Sequence, residues 1–311
     1  MNWRHKFKEI FSVDLRVLAV FRISIGLALL INLLDRAREM VHYTDEILPV
    51  SLVKQSYISQ GNFSFHVFSG NLIFQAFLFF IAMILALMVI FGAYTRISVF
   101  LSWVFFLSLM NRNPWFVFGA DVLLVMMLFW AIFLPLGSKF SFDSLKKKSK
   151  NSKFFSWAVV GAMLQVGLMY FFSAIWKLFS GPEWFPNGNG IFLSLQTFFG
   201  LPSSDFLFMF PLVLKIFSLI IPFFEIAVIF LFFSPIYTDK TRIIAIVLFS
   251  IFHISLSLFL NLGVFVFICI ASLTLFLPEN LLFRSKKSIL LEDKGSISVF
   301  LSYFFIFIIF L

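Results

Sequence analysis

The sequence predicts an all-α integral membrane protein, a polytopic helical bundle of about eight or nine transmembrane helices with its N-terminus in the cytoplasm. Three observations carry that expectation. Hydrophobic residues make up 61% of the 311 and charged residues only 13%, against roughly 45–50% and about 25% in soluble domains. So polar-poor a chain cannot cover its own surface as a soluble protein. The apolar residues also fall in runs close to the ~20 residues that a bilayer-crossing helix needs. Finally, the 24 Lys and Arg outnumber the 15 Asp and Glu and cluster in alternate connecting segments, as the positive-inside bias requires.

In chain order the runs are residues 17–34, 72–93, 97–110, 115–136, 154–179, 206–233, 243–260 and 262–278, with a short final run at 297–311. They divide the chain into a basic cytoplasmic N-terminus (1–16), a membrane domain (17–280), and a basic loop with a short final span (281–311). The first run is read as a retained helix: Leu33, Leu34, Asp35 and Arg36 lack the small residues of a signal cleavage site. With the N-terminus inside, cytoplasmic segments hold 17 Lys and Arg and the opposite side four, Arg36, Arg38, Lys54 and Arg112. The basic stretch 141–153 reads as a solvated anchor near anionic headgroups rather than a nucleic-acid site.

Several chemistries lose their usual signatures. The single Cys269 leaves no internal disulfide and no C-x-x-C motif. Neither H-E-x-x-H nor a P-loop occurs, and no metal is expected. No internal repeat points to a transporter.

Charged groups inside apolar runs are costly and usually face a protein interior or a wet cavity. Arg22, near the inner end of the first run, is read as snorkelling. Asp121 is placed six residues into a run that opens on Asn113-Pro114, ~9 Å below the boundary, where it serves either an ion pair or a site. Arg112 and Asp121 stand nine residues apart, too far for a helical pair, so each needs partners on other elements. Lys177 shares a helical face with Tyr170 and Ser173, and from the residues alone is read first as an end-of-helix lysine reaching the interface. Lys215 and Glu225 lie ten residues apart, so each needs a partner elsewhere. His253 shares a stripe with Ser250, Ser257 and Asn261 that is expected to face the bundle. Such groups at similar depth suggest a cavity open to the outside, lined by Arg112, Asp121, Tyr170, Trp184 and Lys215.

A series of segments carries a resemblance. It runs from Phe21–Gly26 and His42-Tyr43-Thr44-Asp45 through Asn111-Arg112-Asn113-Pro114, Gly119–Leu124 and Phe133–Gly137. It continues through Tyr170–Lys177, Trp184 and Gly188 to Phe252-His253 and Asn261-Leu262-Gly263. In this order they resemble the horizontally transferred transmembrane (HTTM) domain, whose best-known members are vitamin K-dependent γ-glutamyl carboxylases. The resemblance covers residues ~15–280.

It implies that Lys177 matches the lysine that deprotonates a vitamin hydroquinone, so that a reduced quinone is the implied cofactor, with Lys177 and His253 the implied catalytic residues. An apolar setting suits a lysine base because it disfavours the ammonium. A histidine that carboxylases carry near 112–121 has no match, and the chain stops at Leu311 where carboxylases continue. The resemblance therefore implies quinol-linked oxidation more than peptide carboxylation. Related domains also serve the maturation of toxin peptides, which keeps a second expectation open: a non-enzymatic protein for maturation, export or immunity of a secreted peptide. The expected partners are the bilayer and a quinone or such a peptide, without nucleic acid. The expected location is a bacterial cytoplasmic (inner) membrane.

Overall fold

The computed structural model describes residues 3–146, 152–283 and 289–292. The final apolar run at 297–311 and positions 147–151 of the basic linker lie outside the described residues. Within them, helices coincide with each of the eight earlier apolar runs. They are α1 (Leu15–Arg38), α2 (Leu72–Phe91), α3 (Thr95–Arg112), α4 (Gly119–Ala131), α5 (Trp157–Phe179), α6 (Pro211–Phe232), α7 (Thr238–Phe259) and α8 (Phe265–Leu273). Five of these, α1, α2, α5, α6 and α7, are long and apolar enough to cross a membrane.

The ends of the helices follow from local chemistry. Asp14 caps α1 by accepting from the Arg16 amide at 2.7 Å, and Asn71 caps α2 through the Ile73 amide at 2.8 Å. Gly92 stops α2 in the left-handed conformation at φ 67°. The fourth run departs from expectation. Instead of one helix opening at Asn113-Pro114, residues Pro114–Phe116 form a 3₁₀ turn, and Asn113 donates its side-chain amide to the His42 carbonyl at 2.9 Å. The α-helix starts only at Gly119, where Asp121 accepts from the Phe118 amide at 2.8 Å. Asp121 therefore stands in the first turn of α4, not six residues down a helix. An acidic side chain there offsets the unbonded amides and positive end of the helix dipole.

Helix α1 is the axis of the bundle, packing on α2, α4 and α8. Around it, α2 packs on α3, α3 on α4, α4 on α5, α5 on α6, α6 on α7, and α7 on α8. The core runs through Phe21, Ile25, Leu29, Leu128, Trp130, Val159, Met163, Phe232 and Phe249. The outward faces carry Phe, Ile and Leu side chains left exposed by the fold, among them Ile73, Phe77, Phe80, Phe217 and Phe230. That is the pattern of a bundle solvated by lipid, where an apolar exterior carries no penalty.

The segments assigned to the cytoplasm meet at one end. Strand β1 (Ser12–Asp14) pairs antiparallel with β2 (Ser152–Phe155), which pairs in parallel with β3 (Ile289–Glu292). Arg242 donates to the Ile10 carbonyl at 2.6 Å, and Lys153 pairs with Glu279 at 3.2 Å. Arg16 grips Asp14 at 2.9 Å and approaches Glu279 at 3.7 Å. Arg22 was expected to snorkel, and does not. Its guanidinium is fully buried and donates to the carbonyls of Leu136, Lys139 and Phe140 at 3.2, 3.5 and 2.5 Å. The 136–140 turn offers three carbonyls with no helix to satisfy them, and Arg22 is the donor that does.

At the far end, short turns after α1 fold over α2 and α3. His66 is buried there, its Nδ1 2.6 Å from Gln75 Oε1. Burial pushes the imidazole down to about 4, helped by the nearby Arg112 charge and opposed by the Gln75 hydrogen bond.

Candidate functional site

Lys177 sits in the last turn of α5, where an apolar helix carries one face of small and polar residues. Its ammonium donates to both oxygens of Glu225, at 2.8 and 2.9 Å, and to Ser173 Oγ. Ser173 lies one turn back on α5 and donates to Glu225 Oε1 at 3.3 Å. The Lys177 and Glu225 side chains are 15% and 4% exposed.

This pairing corrects two expectations. Lys177 is not an end-of-helix lysine reaching for the interface, because its partner stands fourteen residues into α6, ~21 Å along that helix. Nor is it an amine in a purely apolar setting, because a carboxylate faces it. Glu225 in turn has the distant partner that its separation from Lys215 demanded.

The chain after α5 turns back over this pair. Gly188 adopts φ +72°, and a Cβ there would lie 2.7 Å from Lys215 Cγ. Gly190 presses so close to Trp184 that a Cβ would fall 2.2 Å from the indole. The Ser218 hydroxyl on α6 accepts from the Ile191 amide at 2.9 Å. Trp184 is thereby held with its ring 5.5 Å from Lys177 Nζ, within cation–π range. Lys215 contributes its alkyl stem to this packing. Its ammonium is exposed and makes no ion pair among the described residues. Phe172, Trp176 and Phe179 are 56%, 72% and 78% exposed; offset from Lys177 by −5, −1 and +2 residues, they stand on an outward face of α5 turned away from the pair.

Two turns deeper on α5, Tyr170 OH lies 2.7 Å from His253 Nε2. The tyrosine ring stacks on Phe249 at 4.0 Å, and Cys269 lies against its hydroxyl. Both Tyr170 and His253 are at most 2% exposed, and His253 Nδ1 is buried with no hydrogen-bond partner among the described residues. The stripe expected around His253 is only partly interior: Ser257 and Asn261 are exposed, and Ser257 bonds the Ile254 carbonyl instead.

Arg112 and Asp121 belong to a different place. Asp121 accepts from Arg36 at 2.6 Å and Asn32 at 2.8 Å, both on α1, and Arg36 also reaches Tyr43 OH. Arg112 donates to the Leu48 carbonyl at 2.6 Å and lies 3.9 Å from Asp45. Neither shares a hydrogen bond or ion pair with Lys177 or His253. Of the expected cavity residues the fold thus joins Lys177 with Trp184, sets Tyr170 and His253 beneath them, brings the Lys215 stem to their loop, and leaves Arg112 and Asp121 out. The group that site reading missed is Glu225. Its signal was a carboxylate in an apolar run with no partner on its own helix.

Among the described residues no three His, Cys, Asp or Glu side chains cluster as a metal site. The Lys177 centre instead offers a charge-assisted donor, a buried proton acceptor and aromatic faces. No curated protein and no solved structure matches the chain. A family model for the HTTM domain matches residues 11–280. The chain therefore belongs to the HTTM domain family.

Proposed function

We propose that this protein is a quinol-linked oxidoreductase of the membrane in which Lys177 is the proton-accepting group. The observation that supports it is the position of Lys177: an ammonium–carboxylate pair with the Trp184 ring 5.5 Å from Nζ. A lipid-soluble ring could stack against the indole and set a hydroxyl against Nζ. The donor set fits an apolar ring carrying an acidic hydroxyl. Bound there, a hydroquinone would supply the oxidisable hydroxyl. The protein's own residues bind and orient it, with Trp184 as the wall, Ser173 and Glu225 fixing Nζ, and Tyr170 and His253 forming a second hydrogen-bonded pair below. Carboxylation of a peptide is not part of this reading.

The test is oxygen uptake by purified protein in nanodiscs supplied with reduced quinones. Lys177→Met is expected to abolish turnover with folding intact. Lys177→Arg is expected to do the same, because guanidinium does not give up its proton. Full activity in Lys177→Met overturns the reading. One observation favours the second reading, a non-enzymatic protein for maturation, export or immunity of a secreted peptide. Every ammonium proton of Lys177 already has an acceptor within the protein, as in a purely structural pair. Absence of turnover with every quinol supplied would bring that reading forward.

The membrane arrangement is part of the proposal. The N-terminus faces the cytoplasm of a bacterial inner membrane, and all eight helical runs cross or line the bilayer. The 17-to-4 basic distribution and the gathering of β1, β2, Arg242 and Glu279 at one end support it. In a Cys269→Ser background, a cysteine at Asn187 is expected to react with an impermeant reagent from outside and one at Ser149 is not. The reverse pattern overturns the orientation.

A further inference from the structure

We propose that Glu225 is the proton sink behind Lys177: as a ligand hydroxyl gives its proton to Nζ, Nζ passes one of its own to a Glu225 carboxylate oxygen. The inference rests on the reading of Lys177 given above. Both Glu225 oxygens are within 2.9 Å of Nζ. The carboxylate is 4% exposed against 15% for the lysine side chain, so an approaching ligand meets Nζ first. Only Lys177 and Ser173 donate to Glu225 among the described residues. Ser173, which accepts the third ammonium proton, occupies the position that a ligand hydroxyl would take.

The step balances. The ligand O–H bond breaks as an N–H bond forms at Nζ; another Nζ–H bond breaks as an O–H bond forms on Glu225. Lysine is an ammonium before and after, glutamate becomes a neutral acid, and the ligand oxyanion replaces it as counter-ion. No electron moves.

The physical advantage lies in the charge count. One cation and one anion stand in the site at every stage, so no isolated charge is ever created in a low-dielectric setting, which would be costly. A neutral lysine acting alone would instead create an ion pair from two neutral groups in the membrane interior. The other titratable groups on the surrounding elements are Tyr170 on α5, Glu183 in the loop, Lys215 on α6, His253 on α7 and Cys269 on α8. None of them hydrogen-bonds to Lys177 or Glu225.

The experiment uses the full chain in nanodiscs under argon with 4-nitro-1-naphthol, an apolar hydroxyl compound whose anion is coloured. Wild-type protein is expected to hold the probe as its anion at a pH where free probe is still neutral. An infrared difference spectrum should at the same time gain the carbonyl stretch of a protonated carboxylic acid. Glu225→Gln should lose that band, because the carboxylate that receives the proton is gone. Glu225→Asp should stay near wild type, which a packing role alone would not produce. Anion formation in the wild type without the acid band, or an acid band that survives Glu225→Gln, overturns the sink. If Glu225→Gln does not fold, the wild-type infrared band decides. Anion formation that survives Lys177→Met overturns the underlying reading of Lys177 instead, so the two failures are distinct.

Discussion

Arg36 and Asp121 meet at 2.6 Å with side chains 6% and 1% exposed, while Lys177 and Glu225 meet at 2.8 Å with side chains 15% and 4% exposed. Each is an ion pair between two helices inside an apolar bundle, yet their surroundings differ. Asp121 has donors from Arg36, Asn32 and the Phe118 amide, and Arg36 is bonded by Asn32 and Tyr43 besides. Every polar side-chain atom of Arg36 and Asp121 has a partner there. The Lys177 pair has one hydroxyl, Ser173, as its further support, and a tryptophan wall packed on Gly190. The same pair of charges is structural when its hydrogen bonds are closed by backbone and buried side chains. On the proposed reading, the Lys177 pair is open to a ligand because its third ammonium proton rests on Ser173, whose place a ligand hydroxyl would take.

The largest test of that contrast is Asp121→Ala. Removing one member of a closed buried pair leaves Arg36 without its counter-charge, at a typical cost of ~3–5 kcal/mol. The expected outcome is a sharp drop in folded yield and melting temperature in detergent; an unchanged melt would mean that the closed pair is not structural.

Acid gives a second test, because the closed region adjoins His66. Its imidazole is held down at about 4, below the ordinary ~6.5 of the unfolded chain. A lowered histidine favours the neutral form in the folded state. The stability is therefore fully present above pH ~6.5 and lost as pH falls toward 4, up to about 3 kcal/mol in all. Melting temperature should fall across that window and fall less in His66→Gln. Equal slopes in the two proteins would remove the buried histidine from the account.

The smallest effect is expected at Trp184. Its cation–π contact with Lys177 is worth only ~0.5–1 kcal/mol, so Trp184→Leu should barely change melting. It should weaken binding of a ring ligand in the nanodisc assay. A large loss of stability would make the loop a structural element rather than a site wall.

The helical runs were legible in the sequence because hydropathy is local: each apolar stretch reports its own environment. The need of Arg112, Asp121 and Glu225 for partners on other elements was equally legible, since helix geometry rules out their near neighbours. Which partner each finds was not. Asp121 meets Arg36 across 85 positions and Glu225 meets Lys177 across 48, and no local pattern encodes such meetings. Arg22 shows the same limit. Its position near a helix end suggested reaching outward, whereas its real acceptors are three carbonyls more than 110 residues away. The start of α4 was misplaced for a different reason. Asn113-Pro114 is a sound helix opening in isolation, but the His42 carbonyl captures the asparagine side chain, and Asp121 then opens the helix five residues later.

The three-stranded sheet has a meaning for how the chain is made. Its strands come from residues 12–14, 152–155 and 289–292, so its first pairing waits for half of the chain and its second for nearly all of it. Contacts this distant in sequence form late, after the cost of closing the intervening loops has been met. Every helix from α1 to α8 leaves the ribosome before β3 does. The sheet is thus a seam closed last, and a chain truncated before residue 289 would retain helices α1 to α8 while leaving the outer edge of β2 unpaired.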